Sequence, residues 1–293
     1  MTSFGIDRWI HEPLWSQEIQ DLDAALQPDL ANVAELASRI PLRIFGEILL
    51  DPVKWLPRSA SYLPVMPGAD VQVSWNGAAG ADLLVQSVDF IRCLISAAAK
   101  RRIPLSECQS LDFGIGWGRL ARLWLRYAPP TNLAGCDAWD HSLSLAKNCN
   151  LQNELRQSDP LLTTLPFDPG RFDIVWAFSV FTHLSPDAFQ AVLLGISEML
   201  TKDGVFVFTV RPHSFWDYLD QQPAPAASTE ASLRQETADG ARFVQDQGNP
   251  HHGDLSVSAP FLQERCRQAG LRIDSLDWSI SDQYEIVVAA SHI

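Results

Sequence analysis

The spacing of apolar residues changes from one region of the chain to the next. In the first region apolar positions recur at every third or fourth residue, which predicts amphipathic helices. These positions are Val33, Leu36, Ile40, Ile44 and Leu49. Residues 1–80 are therefore predicted to form an N-terminal helical cap that packs on the rest of the chain, with an interaction arm as the alternative.

From residue 81 the helical spacing continues through Leu84, Val88 and Ile91, and short apolar runs then alternate with helical segments. Such alternation is typical of strand-helix-strand units in a parallel sheet. The predicted strands are 110–113, 132–136, 172–178, 204–210, 271–280 and 284–289. Residues 81–293 are thus expected to form one α/β domain.

The alternation is interrupted between residues 212 and 258, before the last strands. Within this insertion the segment QQPAPAAS at 221–228 has the composition of a linker. Long insertions in compact domains are usually functional covers over a site or irregular excursions. Because this insertion follows the end of a strand, we interpret it as a lid, with an inert excursion as the alternative.

A glycine-rich turn follows the strand at 110–113. Asp112, Gly114, Gly116 and Gly118 form D-x-G-x-G-x-G directly before a helical run. Glycines let the backbone turn tightly and approach a ligand, although a purely structural turn is the alternative. The dinucleotide fingerprint places its third glycine one residue later to admit a pyrophosphate. The acidic residue before the first glycine disfavours a phosphate and favours an ammonium group.

A second acidic residue, Asp137, ends the next strand, at about the 20-residue interval after the glycines at which an acid can reach a ribose. A carboxylate accepts hydrogen bonds from two hydroxyl groups well. Asp140, nearby, is a second candidate for the ribose. The alternative role for Asp137 is to cap a loop. The occurrence of Asp137 together with the glycine turn favours binding of a nucleoside.

Four segments resemble the class I S-adenosylmethionine-dependent methyltransferases, and the likeness runs through about residues 80–289. They are LDFGIGWGRL, GCDAWDHSL, FDIVWAFSVFTHLS and LTKDGVFVFTV, which look like the family's first glycine motif, acidic second-strand end, fourth strand with its loop, and fifth strand. The resemblance implies a doubly wound, mostly parallel seven-stranded α/β sheet of the Rossmann-like type. It also implies S-adenosyl-L-methionine as the cofactor and methyl transfer as the activity.

By this resemblance Asp112 holds the amino acid part of the cofactor, Asp137 holds the ribose, and either Ser158 or Asp159 contacts the adenine. The full set of predicted cofactor-binding residues is Asp112, Phe113, Gly114, Gly116, Trp117, Gly118, Asp137, Ala138, Ser158, Asp159 and Ser179.

His183 follows the fourth strand, where open α/β sheets place ligands, and it is the candidate catalytic base or substrate-orienting residue. A structural hydrogen bond is the alternative for a histidine just before a helix start. The candidate substrate-binding residues are Trp75, Arg211, His213 and Trp216.

Composition narrows the choice of partner. With 22 Lys and Arg against 35 Asp and Glu, the net charge of −13 would repel nucleic acid, so we expect a small-molecule or sugar-like acceptor.

The five cysteines lack zinc-site spacing, and the adjacent His251 and His252 point apart, so no metal is expected. No membrane span is found, and a cytoplasmic location is expected by default.

Two further functions remain open alternatives at this point. A protein with this fold could bind the cofactor without catalysis, or it could be an NAD-dependent oxidoreductase. The sequence indicates no oligomeric state.

Overall fold

The computed structural model describes residues 13–221, 234–246, 248–279, 281–282 and 284–293. The strands in this part of the chain are β1 (Ser110–Phe113), β2 (Leu133–Asp137), β3 (Glu154–Gln157), β4 (Phe172–Ala177), β5 (Leu200–Val210), β6 (Gln235–Glu236), β7 (Ala241–Gln245), β8 (Gly253–Val257), β9 (Leu271–Trp278) and β10 (Ile286–His292). Seven of them form the main sheet, and β6, β7 and β8 form a small second sheet.

The strand order in the main sheet is β3-β2-β1-β4-β5-β10-β9. Strands β1 to β5 pair in parallel, and β10 runs antiparallel to both of its neighbours. The order reverses between β1 and β4, so the loops that leave their carboxyl ends diverge and leave a crevice. The prediction of a doubly wound, mostly parallel seven-stranded sheet is confirmed.

Helices cover both faces of this sheet. The described α-helices are α1 (Pro13–Ala25), α2 (Val33–Ala37), α3 (Leu42–Leu50), α4 (Pro52–Trp55), α5 (Ala69–Asn76), α6 (Gly80–Arg101), α7 (Arg119–Trp124), α8 (Asp140–Asn148), α9 (Pro186–Met199), α10 (Ser214–Asp220) and α11 (Ala259–Gln268). Ile174 and Trp176 of β4 face a cluster that includes the helices before residue 80, whereas Val175 and Ala177 face a cluster with α9 and α11. This division follows because successive strand residues point to opposite faces.

Strand β3 is the strand of the main sheet that the hydrophobic pattern did not predict. Three of its four residues are exposed, and Leu155 is half-buried. An edge strand without buried alternation has no hydrophobic signature, and only its parallel pairing with β2 defines it. The last strand also begins later than predicted, at Ile286, because the Glu285 amide donates to Asp282 O in a preceding turn.

The described part of the predicted cap is held by arginines that follow the glycine turn. Arg122 donates to Leu49 O, and Arg126 donates to Ser38 O and Ile40 O at 2.6 Å each. Ser38 and Leu49 lie at helix ends, where carbonyl groups lack partners within the helix. The helices before residue 80 therefore pack directly behind the glycine turn; residues 1–12 lie outside the described residues.

The insertion before the last strands contains α10 and the three-stranded sheet. The Leu255 amide donates to Thr182 O at 2.8 Å, and the Gly253 amide donates to His183 O at 2.9 Å. Strand β8 thus lies against the segment that follows β4. The predicted linker at 221–228 lies outside the described residues apart from Gln221. The described part of the insertion is anchored by backbone hydrogen bonds and is not an irregular excursion.

Candidate active site

A cavity of about 540 Å³ lies at the carboxyl ends of β1 to β4, in the crevice where the strand order reverses. Its volume falls within the range of small-molecule sites. Asp112 and Asp137 share its wall with the glycine turn, the start of α7 and the end of α5. The turn between β7 and β8 contributes Asn249, His251 and His252. The insertion therefore forms one side of the cavity.

The glycine turn brings bare backbone to the cavity. Gly114 and Gly116 have φ angles of 74° and 56°, in the left-handed region that favours glycine. A Cβ on Gly114 would clash with the side chain of Val180, and one on Gly116 would stand 3.8 Å from the ring of Trp75. The amides of Gly114 and Ile115 donate to Cys136 O at 2.8 and 3.0 Å, which fixes the turn to β2.

Asp137 joins the glycine turn to the loop after β2. Its Oδ2 accepts from the Gly116 amide at 3.0 Å, and its Oδ1 accepts from the Trp139 amide at 2.9 Å. Burial raises the pKa of this carboxyl group, and the amide of Trp139 lowers it in part. Each carboxylate oxygen can accept more than one hydrogen bond, so both remain able to receive ligand hydroxyl groups.

Asp112 lies deeper in the same wall, where it is only 3% exposed. Burial raises its pKa to about 8, and the positive charge of Arg119 opposes that rise. Arg119 begins α7, is 8% exposed and also lines the cavity. A buried carboxyl group and a buried guanidinium group thus lie on the wall beside the glycine turn.

The residues proposed for the adenine end of the cofactor lie just after β3. Ser158 is buried, and its amide donates to Asp137 O at 3.0 Å. The Asp159 carboxylate accepts from the Leu161 amide at 2.9 Å and from the Thr163 hydroxyl, which lowers its pKa. Both residues line the cavity. The Asp159 carboxylate is already bound within its own turn, whereas Ser158 lies directly beside Asp137.

The strand predicted at 172–178 ends one residue earlier than expected, and Ser179 follows shortly after its end. Its φ of 56° is unusual for a residue with a side chain, and β4 stops at Ala177. The Ser179 amide donates to Thr209 Oγ1 at 2.8 Å. Such local strain is found at binding sites, where surrounding contacts hold it. Ser179 lines the cavity beside Phe178 and Val180.

His183 lines the cavity but has partners on both ring nitrogens. Its Nδ1 lies 3.0 Å from Gly253 O, and because a carbonyl only accepts, this nitrogen carries the proton. The guanidinium of Arg211 lies 3.4 Å from Nε2. Burial and then the Arg211 charge lower the pKa of His183 to about 4, so the ring is neutral at pH 7. These contacts favour a hydrogen-bonding role over that of a strong base.

Of the predicted substrate-binding residues, the structure brings Trp75 to the cavity and leaves three beside it. Trp216 is completely buried, and its Nε1 donates to Ser256 Oγ at 2.6 Å; His213 Nδ1 lies 2.8 Å from the same hydroxyl. Arg211 forms an ion pair with Asp254 at 2.8 Å. None of the three is on the cavity wall. They join the segment after β5 to β8, so the expected direct contact with substrate is not what their positions indicate.

Sequence reasoning missed Arg119, Ser142 and Asn249 as cavity residues. Arg119 directly follows the last glycine of the motif, and this adjacency was a usable signal because the start of the following helix lies beside the turn. Asn249 reaches the site only through the pairing of β7 with β8. No local pattern could have indicated it.

Comparisons with known proteins agree with this architecture. Residues 111–208 match the family model described as a methyltransferase domain. These residues therefore belong to a methyltransferase domain. The matched range contains the glycine turn, Asp137 and His183, and the predicted family is confirmed. S-adenosyl-L-methionine, the predicted cofactor, is the cofactor of this family.

Solved structures of low sequence identity share the fold of the methyltransferase domain. An S-adenosylmethionine-dependent methyltransferase from Clostridium acetobutylicum is 16% identical, with a TM-score of 0.53 over 76% of this chain and 97% of that one. Magnesium protoporphyrin IX methyltransferase from Synechocystis with bound SAH is 13% identical, with a TM-score of 0.51 over 72% of this chain and 86% of that one. No curated protein sequence gives a significant match.

None of the helices in the described ranges is long and apolar enough to cross a membrane. In the same ranges no group of three or more His, Cys, Asp or Glu side chains is arranged to hold a metal ion.

Proposed function

We propose that this protein transfers a methyl group from S-adenosyl-L-methionine to a small-molecule or sugar-like acceptor. The observation that carries the proposal is the position of Asp112 and Asp137 on either side of a glycine turn, on the wall of one cavity. A turn filled by side chains, or two carboxyl groups that faced different surfaces, would not support it.

The residues present fit this cofactor. Gly116 leaves bare backbone on the cavity wall, and Asp112 places a buried carboxyl group there. Asp137 would hold the ribose hydroxyl groups, Asp112 the amino group, and Ser158 the adenine. When bound, S-adenosylmethionine supplies a methyl group on a positively charged sulfur. The aromatic faces of Trp75 and Trp139 are suited to a cationic or planar ligand.

The contribution of the chain's own residues is positioning and exclusion of water. Correct alignment of two reactants can provide an effective molarity of about 10⁵ M or more, so a strong base is optional for an amine acceptor. His183, neutral, bound to Gly253 O and contacted by Arg211 at Nε2, is suited to orienting an acceptor by contact with its ring. The anchored insertion, with His251 and His252, limits access of water to the cavity.

The proposed acceptor class follows from charge. The chain carries a net charge of −13, which repels a polyanion. Around the mouth of the cavity, the side chains of Trp139, His251 and His252 offer aromatic faces and hydrogen-bonding groups. Such surfaces suit a compact polar or sugar-like molecule better than a nucleic acid backbone.

Calorimetry tests the proposal. The purified protein should bind S-adenosylmethionine with micromolar affinity and show no comparable affinity for NAD. Asp137→Ala should lower the affinity for S-adenosylmethionine by about 100-fold, because two charge-assisted hydrogen bonds are lost. A preference for NAD would indicate an oxidoreductase. Tight cofactor binding without turnover on a broad acceptor panel would indicate a binding protein, and methylation of RNA or DNA alone would refute the acceptor class.

A further inference from the structure

Two histidines on the insertion side of the cavity have parallel rings but partners of opposite charge. The ring centres of His183 and His252 are 5.5 Å apart with 10° between the planes, and both residues line the cavity. Nε2 of His183 lies 3.4 Å from the Arg211 guanidinium, and burial together with that positive charge opposes protonation of the ring. Nδ1 of His252 instead lies 2.6 Å from Oδ2 of Asp246. The two rings are therefore suited to different roles.

The contact with Asp246 determines which nitrogen of His252 is free. An ionised carboxylate only accepts hydrogen bonds, so in the neutral ring Nδ1 carries the proton and Nε2 is left as an acceptor. Across the described ranges Nε2 has no hydrogen-bond partner, and it is not among the polar atoms buried without one. The side chain is 35% exposed. His252 therefore presents an accessible acceptor nitrogen on a ring that lines the cavity.

The backbone around His252 is fixed on two sides. Its carbonyl oxygen accepts from the Asp246 amide at 2.9 Å, which closes the turn between β7 and β8. On the other side His252 forms an antiparallel bridge with Leu184, and the Ser185 amide donates to His251 O at 3.0 Å. The ring is thus held by its own side-chain bond and by the segment after β4. Such fixed placement is what proton transfer to a bound molecule requires.

We infer that His252, oriented by Asp246, is the general base of the reaction and that the acceptor presents a hydroxyl group. This inference rests on the proposed function and adds to it a catalytic residue and a class of acceptor. Nε2 of His252 takes the proton of the hydroxyl group. The hydroxyl oxygen forms its bond to the methyl carbon as the carbon–sulfur bond breaks and leaves its electron pair on sulfur. His252 then releases the proton to solvent, and Asp246 keeps the ring in the tautomer that can accept the next one.

The acceptor class follows from the presence of a base. A neutral amine attacks through its own lone pair and can lose its proton after the transfer, so alignment is sufficient for it. An alcohol or phenol becomes a good nucleophile only as its proton is removed. His183 has partners on both ring nitrogens and cannot remove that proton as it stands. The free Nε2 of His252 supplies what a hydroxyl acceptor needs and an amine does not.

A purely structural role for this pair makes a different prediction. The bond between His252 and Asp246 also closes the turn between β7 and β8, and the turn forms one side of the cavity. If the pair served only to shape the turn, its loss would reduce turnover of every acceptor to a similar extent. If His252 is the base, its loss would reduce turnover of hydroxyl acceptors alone.

Nitrogen-15 NMR of the unliganded full chain reads the ring tautomer without any turnover. The ring signals of His252, assigned from its neighbours in the chain, should show the Nδ1–H tautomer at a pH at which the ring is neutral. Asp246→Ala should convert these signals to a mixture of the two tautomers, because the orienting acceptor is lost. An Nε2–H tautomer in wild type would overturn the inference, since no acceptor nitrogen would then be free.

Turnover of matched acceptors tests the role of the base. The panel consists of phenols and sugars beside the anilines and amino sugars of the same skeleton. Wild type should methylate the hydroxyl members, and His252→Gln should lower kcat on them by about 10²- to 10⁴-fold. KM and the affinity for S-adenosylmethionine should change less than about threefold. Asp246→Ala should lower the same kcat by about 10- to 100-fold, because the ring spends less time in the productive tautomer.

His292→Gln is the matched control. His292 ends β10, which runs antiparallel to β5, so it lies at the sheet edge away from the cavity. This variant should change neither kcat nor affinity. A second variant, His251→Gln, separates the two neighbouring histidines: a larger loss on hydroxyl acceptors than in His252→Gln would make His251 the base and overturn the inference.

The outcomes separate failure of the inference from failure of the proposed function. If wild type binds no S-adenosylmethionine or methylates no member of the panel, the proposed function fails. If wild type prefers the amine members, or if a folded His252→Gln loses turnover on amines and hydroxyls alike, the base is refuted while the methyltransferase stands. Because the tautomer and the acceptor preference are both measured in wild type, a misfolded variant would not leave the question open.

Discussion

The cavity has two walls that are built in opposite ways. The wall of the glycine turn comes from adjacent residues and contains two buried ionisable groups, Asp112 and Arg119. On the insertion wall the polar groups satisfy one another: His252 Nδ1 lies 2.6 Å from Asp246 Oδ2, and His183 is bound to Gly253 O. A wall with buried ionisable groups is complementary to a charged ligand. A wall whose groups are mutually satisfied can accept a neutral ligand without leaving a charge exposed.

The glycine wall should be the more sensitive to substitution. Gly114→Ala adds a Cβ in the left-handed region and against Val180, which should lower the free energy of unfolding by about 2–4 kcal/mol. Gly170→Ala is the matched control, because its φ of 65° is similar but nothing lies within 4 Å of the added carbon. It should cost only about 1–2 kcal/mol. Chemical denaturation measures the loss of unfolding free energy in both variants. Equal losses would mean that the Val180 side chain moves aside for the added methyl group.

The raised pKa of Asp112 should make cofactor binding release a proton. With a pKa of about 8, Asp112 is mostly protonated at pH 7, and an ammonium group that binds beside it would ionise it. Close to one proton per site should be released at pH 7, and little at pH 9. Calorimetry in buffers of different ionisation enthalpy measures this number. Asp112→Asn should release none, and absence of release in wild type would contradict an ammonium partner.

The raised pKa of Asp112 also predicts how the stability of the unliganded protein depends on pH. The pKa of Asp112 is higher in the folded state than in the unfolded chain, so its ionisation favours unfolding. The stability cost is absent below about pH 4, grows up to pH 8 and is then constant. Asp112→Asn should therefore raise the melting temperature more at pH 8 than at pH 4. A pH-independent difference would show that the carboxyl group is not held neutral by the fold.

Two variants of His183, on the insertion wall, distinguish a catalytic base from a residue that only forms hydrogen bonds. His183→Asn places an amide N–H near the position of Nδ1 and can keep the bond to Gly253 O, whereas His183→Gln cannot. We expect less than about a tenfold loss of kcat for His183→Asn and a larger loss for His183→Gln. The pH dependence of kcat should keep its shape in both. Loss of more than about 100-fold in both variants, with loss of a pH limb, would identify a general base.

The smallest expected effect is that of Trp139, which joins the two walls at the mouth of the cavity. Its ring is 58% exposed and lies 6.1 Å from the ring of His252. Trp139→Ala should lower cofactor affinity by about 3- to 10-fold with no change in stability, since an exposed ring contributes mainly through contact with the ligand. Trp278→Ala, with 62% exposure on the edge strand β9, is the matched control and should change neither quantity. Equal effects of the two changes would place Trp139 outside the site.

Sequence reasoning predicted the wall of the glycine turn because its residues are close together in the chain. The strand, the glycine turn and the helix start lie within ten residues, and backbone conformation alone brings them to one edge of the sheet. The insertion wall was assigned only in outline. Arg211, His213 and Trp216 were expected at the substrate, but their partners Asp254 and Ser256 lie about 40 residues later and hold them to β8.

By itself the sequence determined the parallel sheet, the glycine turn and the two acidic residues, because hydrophobic period and glycine spacing act locally. Only the tertiary structure decided the protonation states of Asp112 and His183 and the contacts of Arg119. Those properties depend on burial and on groups brought together from distant segments, such as Gln86 beside Arg119 and Gly253 beside His183. No pattern along the chain encodes such a pairing, because it follows from the packing of the whole fold.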